Sequence, residues 1–286
     1  MATRKIRLTS KRNTYASERE KGRLVGLPLT APAAPAERYS NELGRLTAEM
    51  YKAYQRELEA VFRANPAITT DASISSQVGM VLAALQRRFA KLFAERSKPI
   101  VERLTSGVDK AAQATLNASL RQLSGGLTLK TDKMPAALAQ AMKASTLENV
   151  ALIKSIPAQY HGQIEGAVTR SLQPGGKGAA DVRGALERYK GVTDRRKDFI
   201  ARDQTRKMNA AIGAERAKSA GVKKFKWLHS AGGSEPRPEH VAMSGEVFSY
   251  DDLPIIDRRT GERGLPGQLP NCRCQAVPVL EWGDEE

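Results

Sequence analysis

Two cysteines lie one residue apart in LPNCRCQAVP, residues 269–278, and the 286-residue chain has no others. A disulfide across C-x-C spacing is strained, so Cys272 and Cys274 read either as metal ligands or as packed thiols. On a strand, side chains alternate, which would turn both sulfurs to one face and Arg273 to the other. Thiolate and imidazole are ligands that zinc prefers. Of the histidines at 161, 229 and 240, His240 is the one placed to join them. It follows the tight polar segment SEPRPE and precedes the strand that leads on to the cysteines. His229 or Asp257 would complete a set of four. The competing reading is that both thiols pack as small apolar side chains, with Arg273 turned outward to an acidic neighbour. The sequence slightly favours packing, so no cofactor is expected, zinc being the ion these residues would suit. Convergence of the three side chains would speak for metal.

Other chemistry finds little support. There is no G-x-S-x-G, P-loop, H-E-x-x-H or kinase signature. GGSEPRPEH brings Glu235, Glu239 and His240 close in sequence, a combination that can serve acid–base chemistry. Carboxylates in polar, proline-bounded loops are usually solvated, however, and no catalytic residue is expected. His161 sits in a helical stretch and is assigned a surface or packing role.

A basic segment is the other chemical feature. Residues 181–226 hold 14 Lys/Arg against six Asp/Glu. The cluster Arg195, Arg196, Lys197, Arg202, Arg206 and Lys207 is the candidate contact for nucleic acid or an acidic partner. Few aromatics interleave with it, so stacking on single strands is not expected. Contact with duplex DNA would be through phosphates, sensitive to salt and blind to sequence.

These residues need elements to hold them. Residues 1–36 form a basic arm, flexible by composition, and a Pro-rich linker. From Glu37, Leu43, Leu46, Met50, Tyr54, Leu58 and Phe62 recur at helical steps up to Asn65-Pro66. Val78, Leu82, Leu85, Phe89 and Leu92 make a second stripe, ended or interrupted by Pro99. Helical composition resumes over 100–123. A helix over about 135–153 is expected to stop at Pro157, with another over 158–172, before the loop at 173–178. A short helix over 181–189 and a longer one over 193–220 follow, capped by Gly221. KFKWLH (224–229), GEVFSY (245–250) and CRCQAVPVL (272–280) alternate as strands. The expected fold is α+β: a mainly helical region over 37–178, then a small α+β domain with a short sheet over 179–280, and an acidic tail over 281–286.

The formal net charge of +15 and pI near 9.9 favour polyanionic surroundings. Two cysteines make no disulfide framework. The N-terminus has no apolar signal core, and no apolar run is long enough to span a membrane.

The order IARDQTRKMNAA, AGVKKFKWLHS, EPRPEHVAMSGEVF, LPGQLPNCRC and AVPVL resembles the phage Mu F-like minor head proteins, also called phage head morphogenesis proteins. The resemblance covers residues 181–280. It is carried by Ile200, Ala201, Arg202, Thr205 and Asn209 on the helix, by Trp227 on the strand, and then by Arg237, His240, Gly245 and Phe248. Pro266, Gly267, Asn271, Cys272, Arg273 and Cys274 complete it. One departure is that His229, Ser230 and a Gly-Gly pair stand where many relatives carry an acidic residue.

The resemblance implies a low-copy head component of a tailed double-stranded DNA phage, resident in the virion head and in the host cytoplasm during assembly. The implied partners are the portal protein, the major capsid or scaffold protein and, non-specifically, double-stranded DNA, with no membrane. It implies no enzymatic activity. The rival classes are a metal-dependent hydrolase or toxin-like enzyme centred on His240, and a DNA-binding regulator.

Overall fold

A computed structural model of the protein describes residues 23–64, 72–123, 134–232 and 235–281. The expected arm over residues 1–22 and the acidic tail beyond Glu281 lie outside these residues. The described residues form an α+β fold. In chain order the elements are β1 (Arg23–Val25), α1 (Ala33–Ala64), α2 (Ala72–Leu123), α3 (Ala136–Ser171), α4 (Ala179–Ser219), β2 (Lys224–Leu228), α5 (Pro238–Ala242), β3 (Val247–Ser249), β4 (Ile255–Asp257), β5 (Glu262–Arg263) and β6 (Gln275–Glu281). They fall into two compact units, and α1, α2, α3 and α4 contribute residues to both.

The helical unit comprises the described residues within Ala36–Leu104 and Thr146–Arg202. The stripe from Leu43 to Phe62 is buried along α1 as its spacing predicts. Each such side chain contributes about 1.5–3 kcal/mol of apolar burial. On α2 the buried position falls on Phe93, and Leu92 is only half-buried. The few aromatics are concentrated: Tyr160 lies 5.1 Å from Tyr51 and 5.2 Å from Tyr54, ring centre to ring centre. His161 takes the packing role expected of it, with Nδ1 3.0 Å from the Tyr54 hydroxyl.

Three expected helix breaks are absent. α2 runs through Pro99 and α3 through Pro157. A proline in a helix interior costs about 3 kcal/mol, a cost that burial of the same helical faces offsets. Phe93, Ser97, Ile100, Val101 and Leu104 are buried around the first proline, and Ile153, Ile156 and Tyr160 around the second. Helices in proteins owe most of their stability to such packing rather than to propensity. α4 is likewise continuous through Gly191, where a short helix and a longer one were expected. An interior glycine costs only about 0.5–1 kcal/mol.

The sheet unit comprises the described residues within Met1–Pro35, Thr105–Ser145 and Asp203–Glu286. Its four-stranded antiparallel sheet has the order β1-β6-β2-β3. In β2, Phe225 and Trp227 alternate inward while Lys224, Lys226 and Leu228 are half-buried. The inward pair packs on Leu116, Leu120 and Leu123 of α2 and on Ala214 and Ala217 of α4. Gly221, at φ +81°, closes α4: its N–H donates to the Lys218 carbonyl, and that of Val222 to the Ala217 carbonyl. This is the capping geometry that a glycine in left-handed conformation provides.

Residues 23–32, expected as arm and linker, are extended but packed. β1 pairs with β6, aligning Leu24 with Leu280. Beyond it, the Gly26 and Leu29 N–H groups donate to the carbonyls of Pro278 and Ala276. Leu29 is buried, and the Leu27 N–H donates to Ser119 Oγ at 2.9 Å. The segment covers the backbone edge of β6 that would otherwise be unpaired. The long connector after β3 also carries structure, a two-stranded ribbon of β4 and β5 with a register irregularity.

Candidate metal centre

Cys272 and Cys274 lie in the extended segment immediately before β6, not on the strand as expected. Alternation still holds there: both cysteines are buried, while Arg273 is exposed. The backbone approach to them is specialised. Gly267 adopts φ +91° and Asn271 φ +60°, a region open to glycine and tolerated by asparagine. The Asn271 N–H donates to Asp203 Oδ1 at 2.8 Å, anchoring the turn to α4. The Cys272 N–H donates to the Leu269 carbonyl at 3.0 Å.

The third residue comes from a different element. Pro238 opens the one-turn helix α5, which carries His240 inward to 3% exposure. The Trp227 ring stands at 70° to the imidazole with centroids 5.1 Å apart, fixing one side of it. The backbone carbonyl of Ile256 lies 3.0 Å from His240 Nε2. With that nitrogen as the donor, Nδ1 keeps its lone pair, and it faces the cysteines. Nδ1 lies 3.4 Å from Cys272 Sγ and 3.7 Å from Cys274 Sγ. All three donor atoms lie within 4.8 Å of one another.

Backbone donors support the sulfurs. The Gly267 N–H donates to Cys272 Sγ at 3.4 Å. Hydrogen bonding from the Cys274 thiol, followed by that from His240 and from the Cys274 and Gly267 N–H groups, holds the Cys272 thiol well below its usual range against the opposing effect of burial. Cys274 is pushed up, first by its bond to the Cys272 sulfur and then by burial. Burial draws the His240 pKa down, but the Cys272 thiolate outweighs it and leaves the net shift upward.

The two suggested fourth ligands are engaged elsewhere. His229 Nδ1 accepts from the Ala231 N–H at 3.2 Å, and Asp257 Oδ1 accepts from the Arg259 N–H at 2.9 Å. Glu235, exposed in the segment before α5, and Glu239, half-buried on it, are also outside the cluster. The arginines of the motif hold loops: Arg237 Nη2 donates to the Pro270 carbonyl at 3.0 Å, and Arg273 to that of Gly232. The acidic partner expected for Arg273 is therefore replaced by a carbonyl. Gly245, at φ +96°, donates its N–H to the Trp227 carbonyl at 2.8 Å.

Sequence reasoning missed the Gly267 N–H and the Ile256 carbonyl, because backbone groups have no residue signature. The Pro266-Gly267 pair was the available signal, a dipeptide that marks a specialised turn.

The basic candidates divide. Arg196 donates to Ser155 Oγ at 2.8 Å, and Lys197 pairs with Asp198 at 2.7 Å. In the sheet unit, Lys207 lies 3.6 Å from Asp203, and Arg206 is half-buried. Arg195 and Arg202 are the exposed members of the six.

Residues 162–277 match the family model described as Phage Mu protein F like protein. An uncharacterized protein of Haemophilus influenzae (strain ATCC 51907 / DSM 11121 / KW20 / Rd) is 33% identical over 148 residues, which is 52% of this chain and 31% of that protein. The chain therefore spans about a third of the length of this relative. No solved structure matches.

Proposed function

We propose, from the Mu F-like domain that residues 162–277 carry, that the protein is a minor head protein of a tailed double-stranded DNA phage. It acts in head assembly at the portal vertex, with the portal protein and the major capsid or scaffold protein as its contacts. The match of residues 162–277 is the observation that carries this reading. The formal charge of +15 supports it, because a protein in a filling head lives among phosphates. Exposed Arg195 and Arg202 are the first candidates for that contact. No described helix is long and apolar enough to cross a membrane.

The rival reading, an enzyme centred on the His240 ring, is a separate proposal, favoured by loss of turnover on changing His240 with head assembly intact. The ring is buried, one nitrogen meets a backbone carbonyl, and the other meets two sulfurs.

The test is genetic. Deleting the codons for residues 162–277 in the phage, with portal and capsid genes intact, is expected to abolish or severely reduce DNA-filled heads in electron micrographs of lysates. A normal yield of filled heads and plaques would overturn the proposal. The DNA contact has its own readout. Retention on duplex DNA should be indifferent to sequence and fall steeply with salt, by a slope of about −0.9 per phosphate neutralised.

A further inference from the structure

We propose that Cys272 Sγ, Cys274 Sγ and His240 Nδ1 bind one zinc ion, which joins α5 to the segment entering β6. The geometry is quantitative. With Zn–S near 2.3 Å and Zn–N near 2.0–2.1 Å, tetrahedral coordination places sulfur and nitrogen about 3.6 Å apart. The two sulfur–nitrogen distances are 3.4 and 3.7 Å, on either side of that value, and the two sulfurs lie within 4.8 Å of each other, so the three donors converge as one ion requires.

Three further features agree. Metal-bound histidine commonly donates its other ring nitrogen to a carbonyl, which fixes tautomer and orientation. The Ile256 carbonyl, 3.0 Å from Nε2, is placed to receive that bond. The Gly267 N–H, directed at Cys272 Sγ, stabilises a thiolate rather than a thiol. Last, the two thiols are free and buried, and nothing in the cluster pairs them as a disulfide.

The donor set selects the ion. Two thiolates and an imidazole are too soft for calcium or magnesium and suit zinc. Among the described residues only these three gather as ligands, so the fourth position is left to a donor from outside the set, such as water. The role is structural. His240 and Cys272 are separated by 31 residues that include β3 and the ribbon of β4 and β5, and one ion closes that loop with coordinate bonds. A small sheet domain with few aromatics gains from such a link.

The experiment uses the full chain without a metal-affinity tag, expressed with added zinc and purified without chelator. Elemental analysis is expected to give about one zinc per chain. Replacing zinc by cobalt(II) should produce the visible bands of a tetrahedral site and a near-ultraviolet thiolate-to-cobalt band. Cys272→Ser, Cys274→Ser and His240→Gln should each lose most of the bound zinc, whereas His161→Gln keeps it. Chelation should lower the melting temperature of the wild-type protein, and added zinc should restore it. The proposal is overturned if the wild-type protein carries no zinc and takes up no cobalt. Zinc retained in full by a Cys272→Ser/Cys274→Ser variant overturns it equally. If the variants fail to fold, the cobalt titration of the wild-type protein decides alone, and absence of the thiolate band refutes the site.

Discussion

Asp109→Ala should destabilise the sheet unit more than any change to a surface ion pair. Arg216 on α4 is 7% exposed at its side chain and Asp109 on α2 is 15% exposed. Two guanidinium nitrogens reach one carboxylate oxygen, Nε at 2.7 Å and Nη2 at 2.6 Å. Removing the carboxylate leaves the guanidinium buried without its anion, a change that typically costs about 3–5 kcal/mol. Exposed pairs such as Arg103 with Glu42 are worth roughly 0–1 kcal/mol.

For a cooperative unit of this size class, each kcal/mol shifts the melting temperature by about 2–4 °C, so a fall of roughly 6–20 °C is expected. Urea unfolding followed by tryptophan fluorescence is the assay, since Trp227 lies in the core that these helices line. Asp109→Leu combined with Arg216→Met removes both charges and should recover most of the loss, because a buried pair and an apolar pair of similar volume are close in energy. A loss below about 1 kcal/mol for Asp109→Ala would refute the reasoning, since it would mean that Arg216 reaches water when unpaired. Strict additivity of the two single changes in the double variant would refute it as well.

Gly26→Ala places a methyl group against Ser119 Oγ and Leu123; it should cost about 1–3 kcal/mol and raise hydrogen exchange at Leu29, and unchanged exchange would contradict the packed reading of this segment. Gly184→Ala, in α4 with open space around it, should instead stabilise by about 0.5–1 kcal/mol in urea unfolding. Burial holds the His161 pKa below its usual value while Glu165 opposes the shift. The unfolded chain then binds the proton more readily, so the stabilisation present above about pH 6.5 is lost as pH falls toward the folded value. His161→Gln should flatten this dependence between about pH 5 and 7, and an unaltered slope would assign it to other groups.

The parts of the fold legible in the sequence are those whose side chains carry a period. The α1 stripe, the inward Phe225 and Trp227 and the cap at Gly221 follow from spacing and residue type alone. Helices through Pro99 and Pro157 were illegible because local propensity opposes them, and only the buried faces on either side decide the outcome. β1 was hidden for a different reason: three residues, one of them basic, show no alternation, and pairing depends on a β6 edge more than 250 residues away.

At the candidate site, residue types and the C-x-C spacing singled out His240, Cys272 and Cys274, which the fold brings together. The spacing said nothing of Ile256 and Gly267, whose backbone groups orient the donors. The basic cluster shows the converse, since Arg196 and Lys197 read as contacts for nucleic acid or an acidic partner but are engaged by Ser155 and Asp198.

Quantitative mass spectrometry of gradient-purified procapsids and virions, with portal and major capsid proteins as internal standards, tests the head-protein reading most directly. The account predicts peptides of this chain in the procapsids, at a copy number far below that of the major capsid protein and unchanged by washing at high salt. Absence of the chain from both particles, with portal and capsid peptides abundant, would contradict it.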